Sequence, residues 1–354
     1  MKHRMPIFDG DGHVLETDEQ LDKYYEGSWK GSRRLAGLTI FPSLDGWSRS
    51  VQIQDQDKGR KYWTTDANIW GEMLDQMGLE GSVLYPTIAL AYGLMREVGF
   101  ATATAIAYNN WLEAEYTKKD KRLFGVGLMP VENPEGAVKE LRRCKQDRKN
   151  FVAMLLPSVT ASGKTYGDPS FWPVYAEAEK LGMVLALHGA PSVGFGFDHF
   201  RPFVKVHTLE HPVPLFIQLT DMMFAGVFDD FPKLRVAFLE GGASWVPFMM
   251  DRLDYEYETV QGAEIRKKVK HAPSWYMTET DNFWVSCEMG ERALKYTVDM
   301  MGSERVIYAS DFPHEPTEEA LMSDIPEFLD RNDIDEKAKA NIMYHNSKRL
   351  YGIA

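Results

Sequence analysis

The feature that most constrains the fold is a rhythm of short apolar runs, each bounded by turn residues and separated from the next by a longer amphipathic stretch. This alternation is typical of repeated βα units around a parallel sheet whose strands are buried on both faces. Because eight parallel strands close into a barrel, the rhythm predicts an α/β fold, a (β/α)8 TIM barrel. The eight runs predicted as strands are Pro6–Asp11, Ser82–Pro86, Leu123–Met129, Phe151–Pro157, Met183–His188, Arg235–Leu239, Phe283–Ser286 and Arg305–Ala309.

Local signals mark the helices between these strands. Asn133 precedes a proline, which predicts an N-cap followed by proline in the first helical turn. Asp168 is also followed by a proline and opens the next predicted helix in the same way. That helix is expected to end at Gly182, a residue suited to the left-handed conformation that terminates many helices. A further amphipathic stretch, Ile334–Tyr351, predicts a helix that closes the chain.

Two stretches interrupt the rhythm. Residues 16–80 are rich in Gly, Asp, Trp and Tyr, and they predict an insertion after the first strand that folds over the barrel mouth. Pro191–Pro202 combines glycines with aromatic residues before a helix expected to begin near Leu209. Because the predicted strands span nearly the whole length, we expect a single domain over residues 1–354.

Composition narrows the class of partner. A net charge of −12 argues against nucleic acid and anionic membranes, which both attract positive surfaces, so a small-molecule substrate is expected. Cys144 and Cys287 form no C-x-x-C pair, which favours a reducing compartment. The sequence has neither a signal-peptide core nor an apolar run long enough to span a bilayer. We therefore expect a cytoplasmic protein.

The first predicted strand carries an unusual series of polar residues, Asp9-Gly-Asp11-Gly-His13. Side chains two positions apart on a strand share a face, so Asp9, Asp11 and His13 can all point into the barrel. A carboxylate and an imidazole placed in this way can bind one metal ion. Repeated Asp-Gly pairs are also common in turns, and the pattern alone does not decide whether Asp9 or Asp11 is the ligand.

Two other strands end in residues of the same chemical type. His188 follows the apolar run of the fifth strand, and Asp311 follows the eighth. The carboxyl ends of barrel strands meet at one face, where barrel enzymes carry their catalytic residues. Considered alone, His188 could be a hydrogen-bonded core histidine, and Asp311 could be an aspartate in a turn. Together the strand ends predict a site for one divalent ion, and two carboxylates with two imidazoles suit Zn, Mn or Fe.

These motifs resemble the amidohydrolase-related branch of the amidohydrolase superfamily, which includes aminocarboxymuconate semialdehyde decarboxylase and the resorcylate and carboxyvanillate decarboxylases. The resemblance runs nearly end to end, and it rests on Asp9–His13, His188-Gly189, Phe231–Arg235, Ser310–His314 and Asn346–Gly352. It implies a distorted (β/α)8 barrel that binds one divalent metal ion. The residues matching the family ligands are Asp11, His13, His188 and Asp311.

One position departs from the family pattern. The decarboxylases carry a histidine at the end of the sixth strand, where this chain has Glu240. A glutamate can act as general acid or base if its surroundings raise its pKa, but beside a metal it could remain ionised or bind the ion. A third alternative is that Glu240 orients Arg252 or another basic side chain.

Three further histidines are candidates for the substrate side of the site: His207, His211 and His314. His207 and His211 are four residues apart and would share one face of a helix. His211 precedes Pro212, so it could instead be only a helix-start residue. His314 belongs to the motif that follows the eighth strand.

The resemblance implies a metal-dependent carboxy-lyase or hydrolase. The leading hypothesis is non-oxidative decarboxylation of an aromatic or unsaturated carboxylic acid, with Asp311 delivering a proton to carbon and His188 and Glu240 in the catalytic group. The alternative is hydrolysis of an amide, lactone or C–C bond by metal-bound hydroxide, with Glu240 or Asp311 as base. Self-association into a homo-oligomer is also expected.

Overall fold

A computed structural model describes residues 3–31, 38–44, 65–314 and 318–354. Eight parallel strands lie in sequence order within one sheet. They are β1 Asp9–His13, β2 Ser82–Tyr85, β3 Leu123–Gly127, β4 Phe151–Pro157, β5 Val184–His188, β6 Val236–Leu239, β7 Phe283–Cys287 and β8 Val306–Tyr308.

The two edges of this sheet meet just after β8. The backbone N–H of Asp311 donates to the carbonyl of Asp11 at 3.1 Å, and that of His13 donates to the carbonyl of Phe312 at 2.7 Å. Helices occupy the connections between strands, so the predicted (β/α)8 barrel is confirmed. The last residues of β1 and the chain after β8 are thereby held side by side at the barrel mouth.

The helices within the described residues are α1 Asp18–Asp22, α2 Ala67–Met77, α3 Val98–Leu112, α4 Pro134–Asp147, α5 Trp172–Leu181, α6 Phe203–Glu210, α7 Pro212–Phe224, α8 Val227–Asp230, α9 Val246–Glu258, α10 Pro273–Thr278, α11 Leu294–Met301, α12 Glu318–Leu329, α13 Glu336–Ala340 and α14 Asn346–Tyr351. A π-helical turn, Asn341–His345, joins α13 to α14, so the C-terminal helix predicted from Ile334 is a helical segment in three parts.

Helix ends follow the local signals. The Asn133 side chain accepts a hydrogen bond from the Gly136 N–H at 3.1 Å and caps α4. Asp168 caps a 3₁₀ turn, Pro169–Phe171, that leads directly into α5. Gly182 ends α5 in the left-handed region, with φ of 60°. These helix boundaries were predictable because each depends on contacts within a few residues.

Strand β1 begins later than its apolar residues suggest. The run that starts at Pro6 predicts a strand ending at Asp11, whereas β1 covers Asp9–His13. Ile7 and Phe8 are buried just before the strand, where the Ile7 carbonyl accepts from Glu80 N–H at 2.9 Å. The polar motif is therefore the strand itself, and it is completely buried.

Two glycines allow β1 to pack against its surroundings. A Cβ atom at Gly12 would lie 2.4 Å from the Trp70 ring, and one at Gly10 would lie 2.7 Å from the Ser347 hydroxyl. Both distances are shorter than any van der Waals contact. Helices α2 and α14, which carry these neighbours, can approach β1 because the two positions between its polar residues have no side chain.

The stretch predicted as an insertion contains ordinary barrel structure at its end. Helix α2 lies within it and occupies the connection between β1 and β2, with Asp66 as its N-cap and Gly78 as its left-handed C-cap. Earlier in this stretch, the Leu44 carbonyl accepts a hydrogen bond from Ser192 N–H, 3.3 Å away, in the loop after β5. Residues 32–37 and 45–64 of the predicted insertion lie outside the described residues.

The segment after β5 contains two helices where one was expected. Helix α6 begins at Phe203, before the position near Leu209 that the sequence predicts, and α7 begins at Pro212. None of the helices in the described parts of the chain is long and apolar enough to cross a membrane.

Candidate metal centre

Three side chains from β1 and β5 converge at the barrel mouth. Asp11, His13 and His188 are each no more than 2% exposed. One Asp11 carboxylate oxygen, Oδ1, lies 3.7 Å from Nε2 of His13 and 3.6 Å from Nε2 of His188. Each of these residues can offer one ligand atom to a shared metal ion. Asp311 joins the cluster from the end of β8, with its Oδ1 atom 3.4 Å from Nε2 of His13.

Hydrogen bonds fix which histidine nitrogen is available. His13 Nδ1 lies 2.9 Å from the carbonyl oxygen of Pro86, and His188 Nδ1 lies 3.1 Å from that of Gly189. A carbonyl oxygen only accepts, so each Nδ1 carries a proton and each Nε2 is the nitrogen that faces the other side chains of the cluster. Burial, reinforced by the neighbouring His314, lowers the pKa of His13 well below its usual value. His13 is therefore a neutral imidazole, the form that binds metals.

These atoms fit a divalent cation. Within the described chain, Oδ1 of Asp11, Nε2 of His13 and Nε2 of His188 are buried without a hydrogen-bond partner. A divalent cation placed between these atoms would give each of them a partner. Ligands held about 2.0–2.2 Å from one ion lie about 3.3–3.6 Å apart in a tetrahedral arrangement. The separations between the donor atoms, 3.4 to 3.7 Å, are close to that spacing.

Asp9 faces different partners from Asp11. Its carboxylate accepts hydrogen bonds from the hydroxyls of Ser82 at 2.5 Å and Ser310 at 2.8 Å, and from the backbone N–H of Ser310 at 2.9 Å. Burial raises its pKa to about 6 even though these hydrogen bonds oppose the shift. Asp9 thus links β1, β2 and the chain after β8, whereas Asp11 faces the two imidazoles.

Asp311 also contacts a histidine on its own loop. Oδ1 of Asp311 accepts from Nδ1 of His314 at 2.7 Å, and Nε2 of His314 lies 2.9 Å from the Thr87 hydroxyl. That hydroxyl donates its only hydrogen to the carbonyl of Val14, so it must accept from His314. Both ring nitrogens of His314 are therefore donors, and the ring is an imidazolium cation. Its ring centroid lies 4.3 Å from that of His13.

This pairing affects both ionisable groups. Burial alone would raise the pKa of Asp311 and lower that of His314. The attraction between the two groups, together with their hydrogen bond, outweighs burial and holds the pKa of Asp311 below its usual value and that of His314 above. An ion pair therefore borders the site at its more open side, where the Asp311 side chain is 32% exposed.

Glu240, at the end of β6, lies between two histidines. One carboxylate oxygen is 3.1 Å from Nδ1 of His188, and the other is 3.7 Å from Nδ1 of His211. Burial, with the nearby carboxylates of Asp311 and Asp11, raises the pKa of Glu240 well above its usual value. Arg252, named as one basic side chain that Glu240 could orient, instead pairs with Glu256 on the next turn of α9, and the basic side chains beside Glu240 are the two histidines.

Backbone conformation is unusual at this mouth. Among the non-glycine residues described, Ala190, Glu240 and Asp311 have positive φ, at 109°, 60° and 49°. All three closely follow barrel strands, β5, β6 and β8 respectively. A left-handed conformation costs a side-chain-bearing residue about 1–3 kcal/mol and is concentrated at functional sites. It turns Glu240 and Asp311 toward the mouth at the point where each strand ends.

His207 and His211 lie beside this cluster on a neighbouring face. Their ring centroids are 5.0 Å apart, and His211 borders Glu240. A Cβ atom at Gly189 would lie 2.9 Å from Cα of His211, so glycine there allows the α6–α7 junction to reach the strand end. His207 is more exposed than His211.

Several residues of this site were not predicted from sequence. Thr87 lies two residues after the end of β2, so the strand-end rule that identified His188 and Asp311 could have found it. Ser82 and Ser310 gave no such signal, because only the folded barrel brings them to Asp9. Glu210 lies between His207 and His211 in the chain and was overlooked, although the spacing is visible in the sequence.

Comparison with protein families decides the relationship. The model of a family described as amidohydrolase matches residues 85–353, which is most of the chain. The chain belongs to the amidohydrolase family. The match covers β3–β8 and begins at the last residue of β2, and the β1 motif lies outside it.

Two curated relatives agree with this assignment. A 2-amino-3-carboxymuconate-6-semialdehyde decarboxylase of Dictyostelium discoideum is 26% identical over 337 residues, covering 92% of this chain and 89% of the relative. A gamma-resorcylate decarboxylase of Rhodococcus jostii is 26% identical over 256 residues, covering 69% of this chain and 74% of the relative. Both relatives are decarboxylases.

Two solved structures share the fold at low identity. A 2,6-dihydroxybenzoate decarboxylase, complexed with 2,6-dihydroxybenzoate, superposes with a TM-score of 0.73 at 20% identity, covering 99% of both chains. A dihydroxybenzoic acid decarboxylase from Polaromonas, with bound manganese and the inhibitor 2-nitroresorcinol, gives 0.75 at 18% identity, covering 99% of this chain and 97% of the other. At this identity the likeness establishes the barrel fold.

Proposed function

We propose that the protein is a metal-dependent enzyme that decarboxylates an aromatic or unsaturated carboxylic acid without oxidation. The observation that carries this proposal is the set of converging, buried donor atoms of Asp11, His13 and His188 at the mouth of a barrel. The decarboxylase relatives support the type of reaction.

Asp11, His13, His188 and Asp311 are the proposed ligands of one divalent ion, Zn, Mn or Fe. When bound, such an ion supplies a Lewis acid that holds the substrate's carboxylate and stabilises negative charge on it. The manganese bound in the Polaromonas structure supports a manganese-class ion. His13 and His188 would bind through Nε2, and each ring is oriented by a backbone carbonyl that accepts its Nδ1–H.

Loss of carbon dioxide leaves a carbon atom that must gain a proton, and Asp311 is the proposed donor. Its carboxylate is held ionised by His314, so it must first receive a proton itself. The Nδ1–H of His314 lies 2.7 Å from Asp311 and can supply one. His314 thus lies at the mouth beside the proposed proton donor, and this position supports a substrate-side role for His314.

Glu240 is the residue that favours a second candidate function, hydrolysis. Its raised pKa and position at the end of β6 would suit a general acid or base in the hydrolysis of an amide, lactone or C–C bond. Glu240 contacts His188 and His211, and we propose that it contributes to the reaction, with His207 and His211 on the substrate side.

Carbon dioxide release distinguishes these functions. The enzyme loaded with manganese is incubated with a panel of hydroxybenzoates and unsaturated amino-carboxylates, and carbon dioxide is trapped and quantified. Release from at least one compound is expected. If none is decarboxylated while an amide or lactone is hydrolysed, the hydrolase is the correct function.

A variant assigns the role of Asp311. Asp311→Asn is expected to abolish turnover and to reduce metal content only in part, because asparagine retains one oxygen ligand. Glu256→Gln, on the outer helix α9, is the matched control and should turn over like the parent protein. Normal activity of Asp311→Asn would refute the proposed proton donor.

Further properties complete the proposal. We infer a cytoplasmic homo-oligomer with one domain over residues 1–354 that does not bind nucleic acid. Two buried free thiols, Cys144 and Cys287, suit a reducing compartment, and the net charge of −12 opposes nucleic-acid binding. Sedimentation analysis measures the oligomeric state, and a monomer at micromolar concentration would contradict self-association.

A further inference from the structure

A second group of metal-type donors lies beside the candidate centre, at the end of α6. His207, Glu210 and His211 occupy positions i, i+3 and i+4, so they share one side of the helix end. One donor atom from each lies within 4.8 Å of the others. Glu210 is fully buried, which directs its carboxylate into the protein, while His207 is exposed to solvent.

We propose that His207, Glu210 and His211 bind a second divalent cation of the zinc class. Two imidazoles and one carboxylate form a ligand set found in zinc enzymes, with a fourth position left for water or a substrate atom. Nε2 of His211 lies 3.7 Å from a Glu210 oxygen, close to the separation of two ligands on one ion. With two nitrogens and one carboxylate, this site favours zinc over harder ions more strongly than the first site does.

Glu240 connects this site with the first one. One of its oxygens faces Nδ1 of His188 and the other faces Nδ1 of His211, at 3.1 and 3.7 Å. Nδ1 of His188 already donates to the Gly189 carbonyl, and Nδ1 of His211 is beyond hydrogen-bond distance of Glu240, so both are close contacts rather than hydrogen bonds. The carboxyl group of Glu240 therefore lies between the two sites and borders one histidine of each.

The proposal of a second site rests on the positions of its ligand atoms and does not depend on which reaction the enzyme performs. Its test is metal content, so decarboxylation could fail while the second site stands, and the reverse also holds. The metal-free chain is dialysed against buffered zinc, and bound zinc is measured by mass spectrometry. The parent chain is expected to hold about two zinc ions.

Variants assign each ion to its site. His207→Ala and, separately, Glu210→Gln should reduce the content to about one ion, and His13→Ala should also leave about one. The combined variant His207→Ala/His13→Ala should retain almost none. His271→Ala is the matched control. His271 precedes α10 and stacks on Trp275 within that helix, so its loss should leave both ions in place.

Two results would overturn the second site. One is a single zinc ion in the parent chain. The other is a second ion that survives both His207→Ala and Glu210→Gln. Circular dichroism confirms that each variant is folded. If Glu210→Gln does not fold, His207→Ala decides the question alone, because the His207 side chain is exposed and its removal leaves the core intact.

Discussion

Asp9 and Asp11 lie two positions apart on one strand, yet their carboxylates have different neighbours. Serine hydroxyls and backbone N–H groups donate hydrogen bonds to Asp9, whereas Asp11 faces the Nε2 atoms of two imidazoles. Alternation along a strand predicts one shared face for both residues, but β1 has a register shift between Asp9 and Gly12 that interrupts this alternation. The alternation rule could not choose between the two carboxylates, because Ser82 in β2 and Ser310 after β8 reach Asp9 only when the barrel closes.

Matched substitutions separate these two roles. Asp9→Asn brings an amide N–H against groups that already donate hydrogen bonds, so we expect a loss of about 1–3 kcal/mol in the free energy of unfolding and normal metal affinity. Asp11→Asn keeps one neutral oxygen ligand but loses the negative charge, so it should lower metal affinity by at least about 10-fold, the lower end of the effect of residues that only orient a ligand. Urea unfolding and metal titration measure the two effects. Equal loss of metal in both variants would show that the assignment of Asp11 is wrong.

Glu16 is a buried carboxyl group with a predictable pH signature. Its oxygens accept from the backbone N–H groups of Thr87 and Ala89, but burial outweighs them and raises its pKa from 4.5 to about 7. Between these values the unfolded chain loses the proton while the folded protein keeps it. This contribution to stability is fully present below pH 4.5 and is lost as the pH rises to about 7.

A charge-free variant isolates this effect. Between pH 4.5 and pH 8, the free energy of unfolding of the parent protein should fall by at most about 3 kcal/mol relative to that of Glu16→Gln. Urea unfolding of both proteins across this range measures the difference. Glu19→Gln, at an exposed position in α1, is the control and should give a difference that does not change with pH. A flat profile for Glu16→Gln would contradict the raised pKa.

At the scale of elements, the sequence predicted those helix ends that depend on contacts between residues close together in the chain. Asn133 and Gly182 mark the ends of α4 and α5 because each interacts with neighbours a few residues away. The α6–α7 junction was misplaced because its position depends on the approach of His211 to Gly189, a contact between distant parts of the chain. The same limit applies to β1, whose start follows the pairing of residues near Gly81 rather than its own apolar run.

The packing of β1 against α2 gives a prediction at this scale. In Gly12→Ala the added methyl would lie 2.4 Å from the Trp70 ring and 2.7 Å from an Asp9 oxygen. We expect a loss of about 1–3 kcal/mol in unfolding free energy, because the helix must move away from the strand. Thermal and urea unfolding measure it. Gly290→Ala, where no atom lies within 4 Å of the added methyl, is the control and should be nearly neutral.

The partner residue can be tested in the same experiment. Replacing Trp70 by phenylalanine makes room for the methyl group, so the cost of Gly12→Ala should be smaller in the Trp70→Phe background. Trp70 also donates from Nε1 to the His13 carbonyl, so Trp70→Phe has a cost of its own that the double-mutant cycle subtracts. Additive effects would show that the clash lies elsewhere.

At the scale of the whole molecule, the candidate centre joins distant parts of the chain. Asp11 lies in β1, His188 ends β5, and Asp311 follows β8. The alternation of apolar and amphipathic segments predicted that these strand ends would meet, since the carboxyl ends of parallel barrel strands share one face. Sequence could not predict the ion pair of Asp311 with His314 or the contacts of Glu240, because these depend on left-handed backbone at the ends of β8 and β6.

An ion that bridges these segments should stabilise the folded barrel as a unit. The unfolded chain has no preformed site, so free manganese at about 100 times its dissociation constant should add about 2.7 kcal/mol to the free energy of unfolding. Calorimetry with manganese and with chelator should therefore give midpoints several degrees apart. His13→Ala should abolish this difference, whereas His207→Ala should preserve it because the first site remains complete. A parent protein whose midpoint does not respond to manganese would contradict a metal site shared by β1, β5 and the segment after β8.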